Sequence, residues 1–334
     1  MTLSARTPQF IAAALREIQS PVQSQLAGVA AEMARIIEVD VPLADQVQTH
    51  LLRMKGKMFR PTLLLLANAI EDQPAPRAAT LAAVLELIHV ATLVHDDAVD
   101  HSALRRGMPT VNATFTHQIA IIMGDLIYSR AVRELVRLGD LEALRVIADA
   151  SNDMTLGELR QLSSYDALRF SEDDYERLIA SKTASLFQAA CEVGAICGAP
   201  QWRGQLATYG VRLGMAFQVA DDLLDYTEAQ EMTGKPSGLD LREHKVTLPL
   251  IAAMREMPAS DLASVQALFA DPHPSDLAVA EVVSLVHAHG GIDYARRRAE
   301  QYAREADDAI GGLPDSPARG ALSDAIGYVV DRRW

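Results

Sequence analysis

Two carboxylate triplets of identical spacing constrain this chain more than any other feature. Asp96, Asp97 and Asp100 close the stretch His89-Val-Ala-Thr-Leu-Val-His-Asp-Asp-Ala-Val-Asp100, and Asp221, Asp222 and Asp225 close Gln218-Val-Ala-Asp-Asp-Leu-Leu-Asp225. Each ends an apolar run with helical periodicity: Leu85, Leu87, Ile88, Leu93 and Val94 precede the first, and Met215, Phe217 and Val219 the second. At about 3.6 residues per turn, Asp96 and Asp100 share a helix face with His89 two turns earlier, and Gln218, Asp221, Asp222 and Asp225 form a second stripe. Like charges stacked on one face repel, and burying them unpaired is costly, so a positive partner belongs between the stripes. Carboxylate oxygens, with no Cys or His set to complete a tetrahedron, suit Mg²⁺, which keeps several waters and shares phosphate oxygens. One acidic group of this spacing is usually a solvated helix face; two, each projecting from an apolar run, mark a site.

Composition narrows the partners. The 334 residues carry a formal net charge of -13, which leaves no basic face for nucleic acid, and 49% hydrophobic residues are ample for a core. The only cysteines, Cys191 and Cys197, point different ways on a helix and read as buried free thiols of a reducing compartment. No basic segment followed by an apolar core opens the sequence, and Glu86, His89 and Asp125 interrupt the longest apolar runs, so no membrane span and a cytoplasmic location are expected.

Nearly every segment reads as helix. The runs cover 8–38, 43–53, 60–71, 77–101, 112–136, 139–160, 172–197, 200–228, 245–256, 260–269, 276–288, 290–311 and 316–330, with Ser171-Glu-Asp-Asp174 as a capping box. Alternating strand patterns are missing, and the breaks are short, so the expectation is an all-α, single-domain bundle of long antiparallel helices around a deep central cavity, residues 1–334. Lys55-Gly-Lys-Met-Phe-Arg-Pro61 and Arg105-Arg-Gly-Met-Pro109 combine cations with Gly, as a loop that approaches an anion does. A third loop, from Thr233 through Lys235 to Lys245, has the Gly and Pro content of a mobile lid. Lys182 is a lone cation in an apolar helix, placed to reach into the same cavity.

In these residues the chain resembles the trans-isoprenyl diphosphate synthases (polyprenyl synthetases). The motifs are Gly56 to Pro61, His89 to Asp100, Asp100 to Asn112, Gly124-Asp125, Lys182-Thr183, Phe217 to Asp225 and Asp240 to Pro249, in the family's order. The resemblance implies a helical bundle, normally a homodimer, that adds isopentenyl diphosphate head to tail onto an allylic diphosphate (farnesyl, geranyl or dimethylallyl diphosphate). It implies Mg²⁺ on Asp96, Asp97, Asp100, Asp221, Asp222 and Asp225, some through water. Arg105, Lys182 and Lys245, helped by Lys235, are implied for the allylic diphosphate; Lys57, Arg60, His89 and Arg106 for isopentenyl diphosphate; Gln218 and Thr183 for orientation. It further implies that metal at the acidic stripes neutralises the departing diphosphate and that this diphosphate then serves as base.

Three positions depart from the family pattern: Lys55 and Met58 flank Gly56-Lys57, and His244 stands where Gly is common before Lys245. Ala91 and Thr92, small residues ahead of the first triplet, are implied to leave the product tunnel open, as in long-chain synthases of the octaprenyl class. A short-chain (geranylgeranyl or farnesyl) synthase is the alternative. A terpene cyclase would not need the Lys57, Arg60 and Arg106 set, and a non-catalytic partner subunit would not need both triplets.

Overall fold

Helix boundaries along the chain are set by caps, prolines and glycines. The computed structural model describes residues 8–54, 56–72, 74–163, 167–227 and 238–331. α1 (Pro8–Gln19) gives way at Ser20–Val22 to a 3₁₀ turn, because Pro21 lacks an amide hydrogen, and α2 (Gln23–Ile37) resumes, so the run expected at 8–38 is two helices. α3 (Pro42–Arg53), α4 (Phe59–Asn68) and α5 (Ala78–Val99) follow. The Arg105–Pro109 loop is a small exception to the all-helical expectation. β1 (Leu104–Arg105) and β2 (Met108–Pro109) pair antiparallel around Arg106 and Gly107, at φ 52 and 75. Two left-handed residues in a row are what a tight hairpin requires.

The Thr110 hydroxyl caps α6 (Val111–Thr114), and Thr116 caps α7 (His117–Leu138), which ends at Gly139 with φ 69. α8 (Leu141–Ser163) precedes α9 (Glu172–Ile179), which is opened by the expected Ser171–Asp174 capping box. A π turn over Ala180–Ala184 leads into α10 (Ser185–Gly198), and a 3₁₀ turn at Pro200–Trp202 into α11 (Arg203–Thr227). Then come α12 (Leu239–Arg242), α13 (Leu248–Met254), α14 (Ala259–Ala270), α15 (Asp276–Ala288), α16 (Gly291–Ile310) and α17 (Pro317–Val330).

The core is built around helices that are apolar on all sides. Leu63, Leu64, Leu65 and Leu66 of α4 are fully buried, and α10 packs against α4, α5, α8 and α11. The α4–α10 approach depends on glycine: a Cβ on Gly194 would lie 2.2 Å from the Leu64 carbonyl oxygen, and one on Gly198 2.0 Å from that of Asn68. α11 is flanked by α10 and α16, and α5 by α2, α4 and α7. By length and composition α5 is apolar enough to cross a membrane despite Glu86 and His89, but 61% of its most apolar window is buried in the bundle. A helix apolar all round and enclosed by neighbours is a core helix. Cys191 is buried and Cys197 half-buried, both as free thiols; burial pushes both thiols up.

Candidate active site

The two acidic helix ends are engaged in different ways. At the end of α5, Asp97 is buried and Arg105 turns back onto it, its Nε 2.8 Å from both carboxylate oxygens and its Nη2 2.8 Å from Oδ1. The chain turns back beyond the helix end at His101, φ 51, and the Ser102 amide donates to the Asp97 carbonyl oxygen at 2.9 Å. Asp96 is half-buried; burial pushes its carboxyl up to about 6, against the pull of Lys182, with Glu158 and Asp100 adding to the rise. Asp100 is exposed at the C-cap of α5.

At the end of α11, Asp221 is exposed while Asp222 is buried. The Tyr175 hydroxyl donates to Asp222 Oδ2 at 2.5 Å, and Gln218 Nε2 donates to Oδ1 at 2.8 Å. Thr183 Oγ1 in turn donates to Gln218 Oε1 at 2.7 Å. Burial, with the Asp240 charge next, holds the Asp222 carboxyl well above the usual carboxylate range. Asp225 accepts the backbone N–H groups of Leu239 and Asp240, each at 2.9 Å, so this carboxylate anchors the chain as it re-enters after the second triplet.

The cations assigned to an allylic diphosphate lie among these acids. Lys182 sits in the π turn, a distortion frequent at functional sites, and its Nζ pairs with Glu158 and with Gln161 Oε1, the latter at 2.9 Å. Lys245 Nζ donates to Glu243 Oε2 at 2.6 Å, and Lys245 lies in the fields of both Asp240 and Asp100. It therefore links the α5 end to the chain beyond α11. Asp240 is pushed up to about 7 by burial and by Asp225. His244 adopts φ 54, the left-handed conformation that explains why Gly suits this position, and its Nε2 lies 3.0 Å from the Asp271 carbonyl oxygen beside the Phe269 ring. Lys55 and Lys235 lie outside the described residues.

A second cation set centres on Arg60 and His89 and borders the first, with Asp221 acting on Arg60, and Arg105 on His89 and Arg106. The Arg60 guanidinium lies 4.7 Å from the centroid of the Phe187 ring and 6.0 Å from that of Phe217, and its Nη1 is 3.1 Å from His89 Nε2. Arginine can only donate, so His89 accepts and is neutral, in keeping with an imidazole pushed well down by burial and by the neighbouring Arg60, Arg106 and Arg105. Arg60 Nε is buried without a hydrogen-bond partner, and burial lowers the guanidinium to about 10. Arg106 donates to the Met54 carbonyl oxygen at 3.1 Å, and Lys57 is exposed, its carbonyl oxygen accepting from Gln19. Ala91 is 1% exposed, and half-buried Thr92 donates its hydroxyl to the His89 carbonyl oxygen at 2.8 Å.

This geometry can be set against known proteins. Residues 41–286 match the model of the polyprenyl synthetase family. The chain belongs to that family. It is 37% identical over 320 residues to an octaprenyl diphosphate synthase of Escherichia coli, covering 95% of this chain and 99% of that one. A decaprenyl diphosphate synthase structure from Rhodobacter capsulatus matches with a TM-score of 0.90 at 34% identity, covering 95% of this chain and 98% of the other. A polyprenyl synthase from Caulobacter crescentus, complexed with calcium and isoprenyl diphosphate, also matches at 0.90, with 32% identity and coverage of 96% and 98%. This polyprenyl synthetase is thus a prenyltransferase enzyme with the expected helical fold.

Sequence reasoning missed several residues that shape the synthetase's site. Glu86, 6% exposed and in the field of Arg60 and Arg106, had registered only as an interruption of an apolar run, which was itself the signal. Glu158 and Gln161 on α8 bind Lys182, and Tyr175 binds Asp222, without any periodicity that marks them. Among the described residues no three Asp, Glu, His or Cys side chains form a ready-made metal cage. The donors at the two helix ends are all carboxylate oxygens, a set that fits a hard cation whose shell is completed by water and phosphate.

Proposed function

We propose that this prenyltransferase is a Mg²⁺-dependent synthase that adds isopentenyl diphosphate head to tail onto an allylic diphosphate and makes a long-chain all-trans polyprenyl diphosphate. The observation that carries the reading is that cations gather around both acidic helix ends: Lys245 lies in the fields of Asp100 and Asp240, and Arg60, held 3.1 Å from His89, lies in that of Asp221.

Asp96, Asp100 and Asp221, at the ends of the two acidic helices, would hold Mg²⁺ together with the allylic diphosphate. The ion supplies positive charge as the leaving diphosphate departs. Asp97, Asp222 and Asp225 support them from behind, through Arg105, through Tyr175 and Gln218, and through the backbone of residues 239 and 240. Lys182, Lys245 and Arg105 meet the same diphosphate, with Lys235 assigned alongside them. Arg60, Arg106 and Lys57 grip isopentenyl diphosphate without metal, and neutral His89 orients Arg60. The homoallylic double bond attacks the allylic carbon, and the departing diphosphate accepts the proton, so no side-chain base is required. Thr183 and Gln218 fix orientation through their hydrogen bond.

Ala91 and Thr92 offer little bulk on the wall of α5, which leaves room for a long product. Ile121, Ile122 and Tyr128 on α7 and Leu156, Leu159 and Leu162 on α8 are exposed apolar residues, suited to cover one another in a homodimer. Incorporation of labelled isopentenyl diphosphate by the isolated chain, with farnesyl diphosphate as primer, tests the reading. Incorporation is expected with Mg²⁺ and is lost with a chelator. Incorporation that survives the chelator contradicts the metal role, and none under any condition contradicts a self-sufficient enzyme.

A further inference from the structure

Tyr175 stands outside every motif that carries the family resemblance, yet it touches the second triplet directly. It is 1% exposed on α9, and its hydroxyl lies 2.5 Å from Asp222 Oδ2. The other carboxylate oxygen of Asp222 is held by Gln218 at 2.8 Å, and Gln218 is held by Thr183 at 2.7 Å. Thr183 lies beside Lys182 in the π turn that continues α9. Tyr175, Asp222, Gln218 and Thr183 therefore form one chain of hydrogen bonds from α9, through the acidic end of α11, to the turn that carries Lys182.

A buried tyrosine hydroxyl usually finds a partner, so such a contact can be purely structural. Tyr302 on α16 supplies the comparison within the same molecule: it is 2% exposed and donates to Glu176 Oε1 at 2.7 Å. Glu176 is held by Arg298 as well as by Tyr302 and makes no contact with either triplet among the bonds of the described residues. Asp222, by contrast, is the direct neighbour of exposed Asp221 and one helical turn from Gln218.

We propose that Tyr175 is a positioning residue that, acting through Asp222, fixes the aim of Asp221 and Gln218 and thereby sets the affinity of the acidic crevice for a divalent cation with its diphosphate. The inference rests on the metal assignment made above. With two donors on opposite oxygens the Asp222 carboxylate has one orientation; with one donor it can rotate about its side chain and drag the α11 end with it. Loss of a buried hydrogen bond corresponds to about a tenfold change in an equilibrium constant.

The test is calorimetric titration of Mn²⁺ into the full chain in the presence of an unreactive thio analogue of farnesyl diphosphate, with melting temperatures of the metal-free proteins and KM values alongside. Tyr175→Phe is expected to weaken Mn²⁺ binding about tenfold with the KM for isopentenyl diphosphate unchanged. Tyr302→Phe, which deletes a part-buried tyrosine–carboxylate bond on the same helix, is expected to lower the melting temperature and leave Mn²⁺ affinity at the wild-type value. Asp222→Asn must weaken Mn²⁺ at least as much, and adding Tyr175→Phe to it must have no further effect. Wild-type Mn²⁺ affinity in Tyr175→Phe overturns the inference, as does wild-type affinity in Asp222→Asn if the tyrosine variant does not fold. If the native chain itself takes up no Mn²⁺ with the analogue, the metal assignment fails and takes this inference with it.

Discussion

Arg105 and Asp97 hold one another at the end of α5, with Arg105 Nε 2.8 Å from both carboxylate oxygens. Asp97 is 5% exposed, so the pair is more than a surface contact, although the arginine itself is about one-third open to solvent. Arg105→Ala strands a buried carboxylate and is expected to cost about 2 kcal/mol in urea unfolding, after allowance for the exposed side of the pair. Asp97→Asn in the same chain should recover most of that loss. In steady-state kinetics Arg105→Ala should raise the KM for the allylic substrate, whereas Arg60→Ala raises that for isopentenyl diphosphate. Equal effects of both changes on both substrates contradict the division into two cation sets.

The metal-free protein is expected to lose stability as pH rises. Burial holds Asp96 at about 6 and Asp240 at about 7, and it pushes Glu86 and Asp222 in the same direction. A carboxyl whose pKa is raised by folding stabilises the fold fully below its unfolded value, near 4, and that contribution is lost as pH climbs through the folded value. For Asp96 alone this is on the order of 3 kcal/mol at 1.36 kcal/mol per tenfold. His89 opposes it: an imidazole kept neutral in the fold contributes stability above its unfolded pKa near 6.5 and loses it as pH falls. Several carboxyls against one imidazole set the net sign. Thermal melts in chelator from pH 5 to 8 should fall with pH, more steeply in His89→Gln; a rise across that range contradicts the burial of these acids.

His244 pairs a strained backbone with a docked ring, at φ 54 beside Phe269 and the Asp271 carbonyl oxygen. His244→Ala keeps the strain and loses the anchor, whereas His244→Gly loses the anchor and relieves the strain. The alanine variant should therefore be the less stable of the two, by about 1 kcal/mol in thermal unfolding. The reverse order contradicts a left-handed conformation at this position.

The helical class and both triplets were legible because apolar periodicity and charge spacing are written along the chain. Local contacts between distant segments were not. Pro21 was visible, yet the apolar repeat continues across it and hid the break between α1 and α2. The π turn at Ala180–Ala184 changes only the backbone hydrogen-bond register and leaves no trace in residue type. Asp97, Asp222 and Asp225 look like Asp96, Asp100 and Asp221 in sequence. Only the fold shows that Arg105, Tyr175 with Gln218, and the backbone of residues 239 and 240 occupy the first three.

Product length is the most direct test of the long-chain reading. Ala91 is 1% exposed on α5 and belongs to the buried core, so a phenylalanine ring there has to push its neighbours aside, and on the long-chain reading it shortens the room for the growing tail. The decisive measurement is reversed-phase chromatography of dephosphorylated products made by the isolated chain from labelled isopentenyl diphosphate and farnesyl diphosphate. The native chain is predicted to give products longer than geranylgeranyl, and Ala91→Phe to give a shorter distribution while the first condensation persists. A native product that stops at geranylgeranyl, or a distribution unmoved by a folded Ala91→Phe variant, contradicts it.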